Sequence, residues 1–475
     1  MHELVLSLLH MPTFQGGMEF PPGRTIRVPA PPEIIPAHVI RLICHERPEV
    51  IAGQVVRQCQ VLLAPSHVDS ACHVSPVTGT VRQVRSINTS RGPAFEVTIE
   101  PSLTSVPVQL PVKPPDERKL DAWLSVMKQV GPWSTPDGGV GLMAQLDAAR
   151  TNKPDTMICV GLDAFPPYPV RSSILISFPD EAVLGTLIIA ELVGASNVMM
   201  LAARTASVLG RLRSSCAKYK VQLRGASDLY PSADPTLVAW SHAPKHRKLP
   251  RGGNPVSCGL LMVTPWTAVR IGRWFTQGKL DLARPMMIAW PEPDIPMTPS
   301  YALVGQPLAS LEPRLAQVLT DKRQPVVIGN PMTGRDLVMP LENDMLTAGT
   351  ATPVSKQTGK PATTPGVNAQ DQAGPAKAML QYEPVVPEDE LLITVLPTIN
   401  LRAAEPCISC GWCADVCPTR LRPIHLMEMA LRGRNDHRLV DQLSWCIDCG
   451  LCSHVCPVSL PLAQTLRTAA AGMRS

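Results

Sequence analysis

Near its C-terminal end the chain carries one cysteine spacing twice. The first run reads Cys407-Ile-Ser-Cys410-Gly-Trp-Cys413-Ala-Asp-Val-Cys417-Pro418, and the second reads Cys446-Ile-Asp-Cys449-Gly-Leu-Cys452-Ser-His-Val-Cys456-Pro457. Each is C-x2-C-x2-C-x3-C-P, the run that holds [4Fe-4S] clusters in two-cluster ferredoxins. Three thiolates on one tight loop can cap three irons of a cubane, and Gly411 and Gly450 permit the loop to curl. The fourth cysteine, expected to enter a helix, points away from its own loop and ligates the other cluster. The expected sets are Cys407, Cys410, Cys413 and Cys456 for one cluster, and Cys446, Cys449, Cys452 and Cys417 for the other. Pro418 and Pro457 redirect the chain behind the fourth ligands. A zinc site usually needs only a closed set of four ligands, and disulfides are disfavoured without a secretory signal.

Twenty-eight residues separate Cys417 from Cys446. Leu421, Ile424, Met427, Ala430 and Leu431 recur there at helical spacing, and a second short helix is expected over Arg438 to Leu443. Residues 395–470 therefore read as a mainly helical di-cluster ferredoxin domain. Its Arg420, Arg422, Arg432, Arg434 and Arg438 form either a solvated face or a docking surface for an acidic electron carrier. The other six cysteines (Cys44, Cys59, Cys72, Cys159, Cys216 and Cys258) share no spacing and read as core or surface thiols.

The remaining sequence divides by pattern. The chain has 475 residues, enough for about three domains. Its 51 prolines, about twice the usual share, imply long ordered loops and a linker. Residues 1–28 read as an extended arm. Residues 29–102 hold short β-type runs punctuated by Gly53, Ser75-Pro76, Gly79 and Gly92-Pro93, implying a small barrel or sandwich. His67 and His73 in this region read as loop residues. Residues 116–280 alternate apolar strands (Met157 to Val160, Val198 to Leu201, Leu260 to Val263) with helices (Glu181 to Leu192, Ala206 to Tyr219, Trp266 to Phe275). That alternation implies a Rossmann-like α/β layer with a largely parallel sheet, although no intact G-x-G-x-x-G is present. Residues 284–341 read as a small β-grasp-like module, and 347–378, rich in Thr, Pro, Gly, Ala and Gln, as a flexible linker. Such a linker would let the cluster domain change position.

Net charge is +5 with a pI near 8.5, and no block of like charges occurs, so no nucleic-acid partner is expected. A membrane span needs about 20 apolar residues. The best stretch, Ala182 to Leu201, contains Glu191 and Asn197 and reads as a buried helix followed by a strand. The chain is expected to be soluble and intracellular, or peripheral to a membrane through partners.

Ser75-Pro76-Val77-Thr78-Gly79-Thr80-Val81 resembles the hairpin of lipoyl and biotinyl domains, without the lysine those domains modify. With the arm's Gly16-Gly17, the α/β region, Gly329-Asn330-Pro331-Met332-Thr333-Gly334 and the two cysteine runs, the order of parts resembles the RnfC family, a component of the Rnf ion-translocating oxidoreductase complex. The α/β and β-grasp parts also resemble the NADH-binding flavoprotein subunit of respiratory complex I. The resemblance implies a lipoyl-like barrel, an electron path between NADH, FMN and the clusters, and membrane and ferredoxin-like partner subunits. It also implies peripheral attachment at the cytoplasmic face of the inner membrane.

The chain departs from that family at its nucleotide segments. Where the family has a glycine-rich phosphate cradle ending in lysine, Asp137, Gly138, Gly139, Gly141 and Gln145 stand here. Where it has N-G-x-E-C-E-P-Y, Asp163 and Phe165 occupy the acidic positions. Gly138, Gly139, Gly141 and Asp163 are the candidates for surviving FMN or NADH contacts. Three readings stay open at this point: an iron–sulfur relay, an NADH:acceptor oxidoreductase with a divergent FMN site, and a scaffold with a degenerate flavin domain.

Overall fold

The computed structural model describes residues 16–30, 38–44, 46–63, 73–89, 92–102, 109–130, 140–243, 248–292, 294–321, 324–336, 384–387, 390–397, 403–432 and 437–472. The expected linker, Cys72, His67, Asp137, Gly138 and Gly139 lie outside these residues.

The first unit is a four-stranded antiparallel sheet in the order Ile40–Cys44, Gly92–Pro101, Gly79–Thr89, Val55–Val56. Inward residues alternate along its strands, so Ile40, Leu42, Cys44, Val97 and Ile99 share one apolar core. His73, expected in a loop, lies instead in the buried strand His73–Val74, paired with Val61–Leu63.

The second unit is a parallel sheet in the order Gln222–Ala226, Asn197–Ala203, Thr156–Gly161, Leu260–Val263. Thr156–Gly161 and Leu260–Val263 are buried at every position, as parallel strands covered on both faces are. Helices Val170–Ser177, Pro179–Val193, Ala206–Tyr219 and Pro265–Gln277 cover the sheet. The apolar stretch from Ala182 is thus a core helix that ends at Gly194 and leads into a strand. No single helix among the described residues is long and apolar enough to cross a membrane.

The third unit is a five-stranded sheet ordered Thr298–Ala302, Arg284–Ala289, Leu392–Val395, Val326–Ile328, Arg335–Asp336. Its boundary differs from the expected one at 341. Leu392–Val395 supplies a central strand, parallel to Arg284–Ala289 and antiparallel to Val326–Ile328. The strand is only four residues long and follows Pro384 and Pro387 in a loop, so it carries little periodic signal. All four of its residues are buried, so the sheet needs chain from both sides of 347–378.

The C-terminal unit is helical: Trp412–Asp415, Pro423–Leu431, His437–Ser444, Leu451–His454 and Leu462–Gly472. Leu421, Leu426, Leu439, Leu443 and Leu466 form its small core.

Candidate iron–sulfur centre

The two cysteine loops have the same backbone, repeated after 39 residues. Ser409 and Asp448 both have φ near +57°, Gly411 and Gly450 +83° and +79°, and Arg420 and Ser459 +59° and +55°. Positive φ at these positions turns each loop inward, and backbone N–H groups then point at sulfur. Ser409 N–H donates to Cys407 Sγ at 3.4 Å, Leu421 N–H to Cys417 Sγ at 3.3 Å and Leu460 N–H to Cys456 Sγ at 3.4 Å. The Ile424 and Asp448 amides likewise donate to Cys413 and Cys446. Donors of this kind favour the thiolate.

The fourth cysteines do not enter a helix as expected. Cys413 and Cys452 sit in the four-residue helices, and Cys417 and Cys456 come just after them. The proline that follows each fourth cysteine disfavours helical backbone at the cysteine itself.

Cys417, Cys446, Cys449 and Cys452 line one cavity of about 400 Å³, partly open to solvent and walled by Leu421 and Leu466. The chain thus brings the fourth cysteine of the first run to the three loop cysteines of the second. Cys413 stands within electrostatic reach of both Cys410 and Cys407. Cys456 is tied toward them through Val458, whose carbonyl accepts from Glu405 N–H at 3.0 Å. Cys452 also feels Cys413, so the two sets adjoin.

These residues fit an iron–sulfur core. Burial pushes the Cys452 thiol up to about 12 and Cys449 well above its ordinary value, and neighbouring cysteines push both further. Such a set becomes thiolate only around a strongly cationic centre. Among the described residues no three His, Cys, Asp or Glu side chains converge on a single-ion position.

The second loop is fastened to the α/β unit. Tyr230 Oη donates to the Cys449 carbonyl at 2.6 Å. Leu451 is fully buried with Phe165 and Tyr230, and Ile447 packs on Leu237. Arg251 Nη2 lies 3.2 Å from Asp448 Oδ2, which also accepts from Arg467 Nε at 2.7 Å. Trp240 and Trp445 meet with ring centroids 5.9 Å apart.

The arm and the Gly329–Gly334 motif complete this junction. Gly17 N–H donates to Val416 O at 2.8 Å, and Met18 and Tyr230 exchange backbone hydrogen bonds. A Cβ on Gly16 would lie 2.7 Å from the Cys417 carbonyl oxygen. Phe20 stacks among Phe165, Tyr230 and His454. Asn330 Oδ1 accepts from the Met332 and Thr333 amides, bending the motif so that Met332 O stands 2.6 Å from where a Gly450 Cβ would fall. The sequence marked Gly16-Gly17 and Asn330 as family signatures but gave them no role. Nothing in the sequence marked Tyr230.

The described residues of the expected nucleotide region do not fit a flavin. Gly141 is the N-cap of helix Leu142–Ala149. Gln145 is fully buried; its Nε2 donates to Val140 O and Met262 O, and its Oε1 accepts from Met262 N–H. It therefore braces that helix against the sheet. Asp163 is buried and accepts from the Arg171 and Ser172 amides and from Ser172 Oγ, capping helix Val170–Ser177. Burial pushes its carboxyl up to about 7. A cavity of about 570 Å³ nearby is lined by Phe165, Arg171, Trp266, Asn330 and Glu390, and neither Gly141 nor Asp163 reaches it.

Residues 406–460 match the 4Fe-4S dicluster domain family. The chain is similar to the RnfC component of the ion-translocating oxidoreductase complex of Pseudomonas aeruginosa, with 26% identity over 99% of this chain and 56% of that protein. The chain thus spans little more than half of that relative's length. Among solved structures, it is similar to an NAD+-reducing [NiFe]-hydrogenase in the air-oxidised state (TM-score 0.42, 14% identity, 75% of this chain and 62% of that one). The H2-reduced state gives a TM-score of 0.41 at 12% identity over the same shares. With a dicluster domain at its C-terminal end and this similarity along its length, the chain is an RnfC-like protein.

Proposed function

We propose that the chain is an electron-transfer subunit that holds two [4Fe-4S] clusters, one on Cys407, Cys410, Cys413 and Cys456 and the other on Cys446, Cys449, Cys452 and Cys417. The observation that carries this reading is the cavity where Cys417 joins Cys446, Cys449 and Cys452. When bound, the clusters supply one-electron redox chemistry. The chain's own residues set its terms. Backbone donors at Ser409, Leu421 and Leu460 lie against sulfur, and Leu421, Leu451 and Leu466 give the second set apolar walls. Exposure and hydrogen bonding of this kind tune potential.

The α/β unit acts here as the platform that holds the second loop. Its Phe165, Tyr230 and Leu237 cover that loop, and among the described nucleotide positions Gln145 and Asp163 are committed to bracing and capping. No step is assigned to FMN or NADH. Similarity to a component of an ion-translocating oxidoreductase complex supports assembly with membrane and ferredoxin-like subunits at the cytoplasmic face of the inner membrane.

Iron analysis and EPR of cluster-reconstituted Cys417→Ala and Cys456→Ala test the assignment. Each variant should lose about half of the bound iron, Cys417→Ala from the set on Cys446, Cys449 and Cys452. Iron loss in Cys417→Ala confined to the first set would reverse the pairing. A wild-type chain that binds zinc and no iron would end the reading.

A further inference from the structure

The two loops share a backbone and differ in what covers them. In the second loop, Ile447 is 7% exposed and Leu451 0%, both packed on the α/β platform. The matching residues of the first loop, 39 positions earlier, are Ile408, 62% exposed, and Trp412, 56% exposed. A Cβ on Gly450 would meet Met332, whereas one on Gly411 would meet nothing within 4 Å. Asp448 is gripped by Arg251 and Arg467, while its counterpart Ser409 is exposed. Cys407 and Cys410 are exposed as well. The same apolar positions are therefore buried by this chain's own platform on one side and open on the other, where the open side carries the larger side chain.

We infer that Ile408 and Trp412 form the docking face for a redox partner protein, which covers the first loop with an apolar, aromatic patch as the α/β platform covers the second. The inference rests on the reading that the first loop holds a cluster. Its chemistry follows from the covered loop, where Leu237, Phe165 and Tyr230 supply the contact. Charge does not select an acidic carrier. Glu405 and Asp415 are exposed in the same segment as exposed Arg420 and Arg422, and Glu428 pairs with Arg432. Among the described residues beside the loop the charge is mixed, so the apolar pair rather than charge selects the partner. Tryptophan is among the residues most often found as the anchor of a desolvated contact, and a contact of this kind survives screening.

The test uses the full-length chain and, as probe, the purified remaining subunits of its oxidoreductase complex. The Ile408→Ser/Trp412→Ser variant should keep wild-type iron and cluster EPR and bind the subunits at least roughly thirtyfold more weakly. Trp412→Phe should restore most of the affinity. Wild-type binding should persist from about 0.1 M to about 1 M salt, where screening shortens from roughly 10 Å to roughly 3 Å. A photoreactive benzoyl-phenylalanine at position 412 should crosslink to a partner subunit, which keeps the inference testable if the serine variant loses its iron. Unchanged binding with iron intact, loss of binding at high salt, or crosslinks only within the chain or to a second copy would each overturn the inference. A wild-type chain without iron would instead overturn the reading beneath it.

Discussion

The hydroxyl of Tyr230 donates to the carbonyl of Cys449 across 2.6 Å, joining the α/β unit to the middle of the second cysteine loop. The same ring packs on Phe20 and Phe165, so one side chain links the arm, the platform and the loop. The expectation that the cluster domain changes position meets this junction directly. With Arg251, Asp448 and Leu451 also engaged, the second loop is part of the body of the protein.

Tyr230→Phe keeps the ring and removes the donor, leaving the Cys449 carbonyl without it. The cost should be about 1–3 kcal/mol, the usual range for a buried group left unpaired. Hydrogen exchange should quicken across residues 449–455 and stay unchanged in the parallel sheet. Tyr230→Ala should cost more, because it also opens a cavity.

Gly16→Ala tests the arm. The residue sits at φ +93° with the Cys417 carbonyl oxygen 2.7 Å from where a Cβ would lie. Alanine is strained at positive φ by about 1–2 kcal/mol, and the contact adds to that. The Gly17 amide, bonded to Val416 O, should lose its exchange protection, and the arm should become sensitive to protease. Unaltered protection would show that the arm does not clamp the loop.

Asp281 is buried against Arg273 Nη1 at 3.2 Å and accepts from Gln109 Nε2 at 2.6 Å. Asp281→Asn keeps the shape and leaves the buried guanidinium without its counter-charge. A loss of about 3–5 kcal/mol is expected, read as a lower thermal midpoint of the α/β unit.

Asp163 gives a pH signature. Its folded pKa, raised to about 7 by burial, exceeds the ordinary value of 3.8. The folded state therefore binds more protons, and stability falls as pH rises from about 4 to about 7, then levels off. Asp234, also raised by burial to about 7, contributes the same trend. Asp163→Asn keeps an acceptor for the Arg171 and Ser172 amides and should flatten roughly half of the slope in denaturation midpoints measured over that range. An unchanged slope would show that Asp163 is ionised in the folded protein.

Much of the fold was legible because periodic signals are local. Leu260–Val263 and Ala206–Tyr219 fall where their patterns placed them, and the strands around Met157 and Val198 differ only at their ends. Leu392–Val395 was missed because its sheet partners lie more than 60 residues away on one side, and four apolar residues cannot announce register. The eight cysteines were legible because their C-x2-C-x2-C-x3-C-P spacing is itself a local signal, repeated within fifty residues. The platform was not, since Tyr230, Leu237 and Arg251 act through surface complementarity, which has no spacing rule. Gln145 and Asp163 looked like altered nucleotide contacts. Their hydrogen bonds to Met262 and to the Arg171 and Ser172 amides reveal bracing and capping, which composition could not distinguish.

The most direct measurement is an anaerobic reduction of the cluster-reconstituted chain, followed by EPR and visible absorbance, with dithionite and NADH in parallel. The expected result is reduction by dithionite, with signals from two interacting clusters, and no reduction by NADH. Rapid reduction by NADH would contradict the account, because it would require a flavin–nucleotide site that Gln145, Asp163 and Phe165, as they are placed, do not provide.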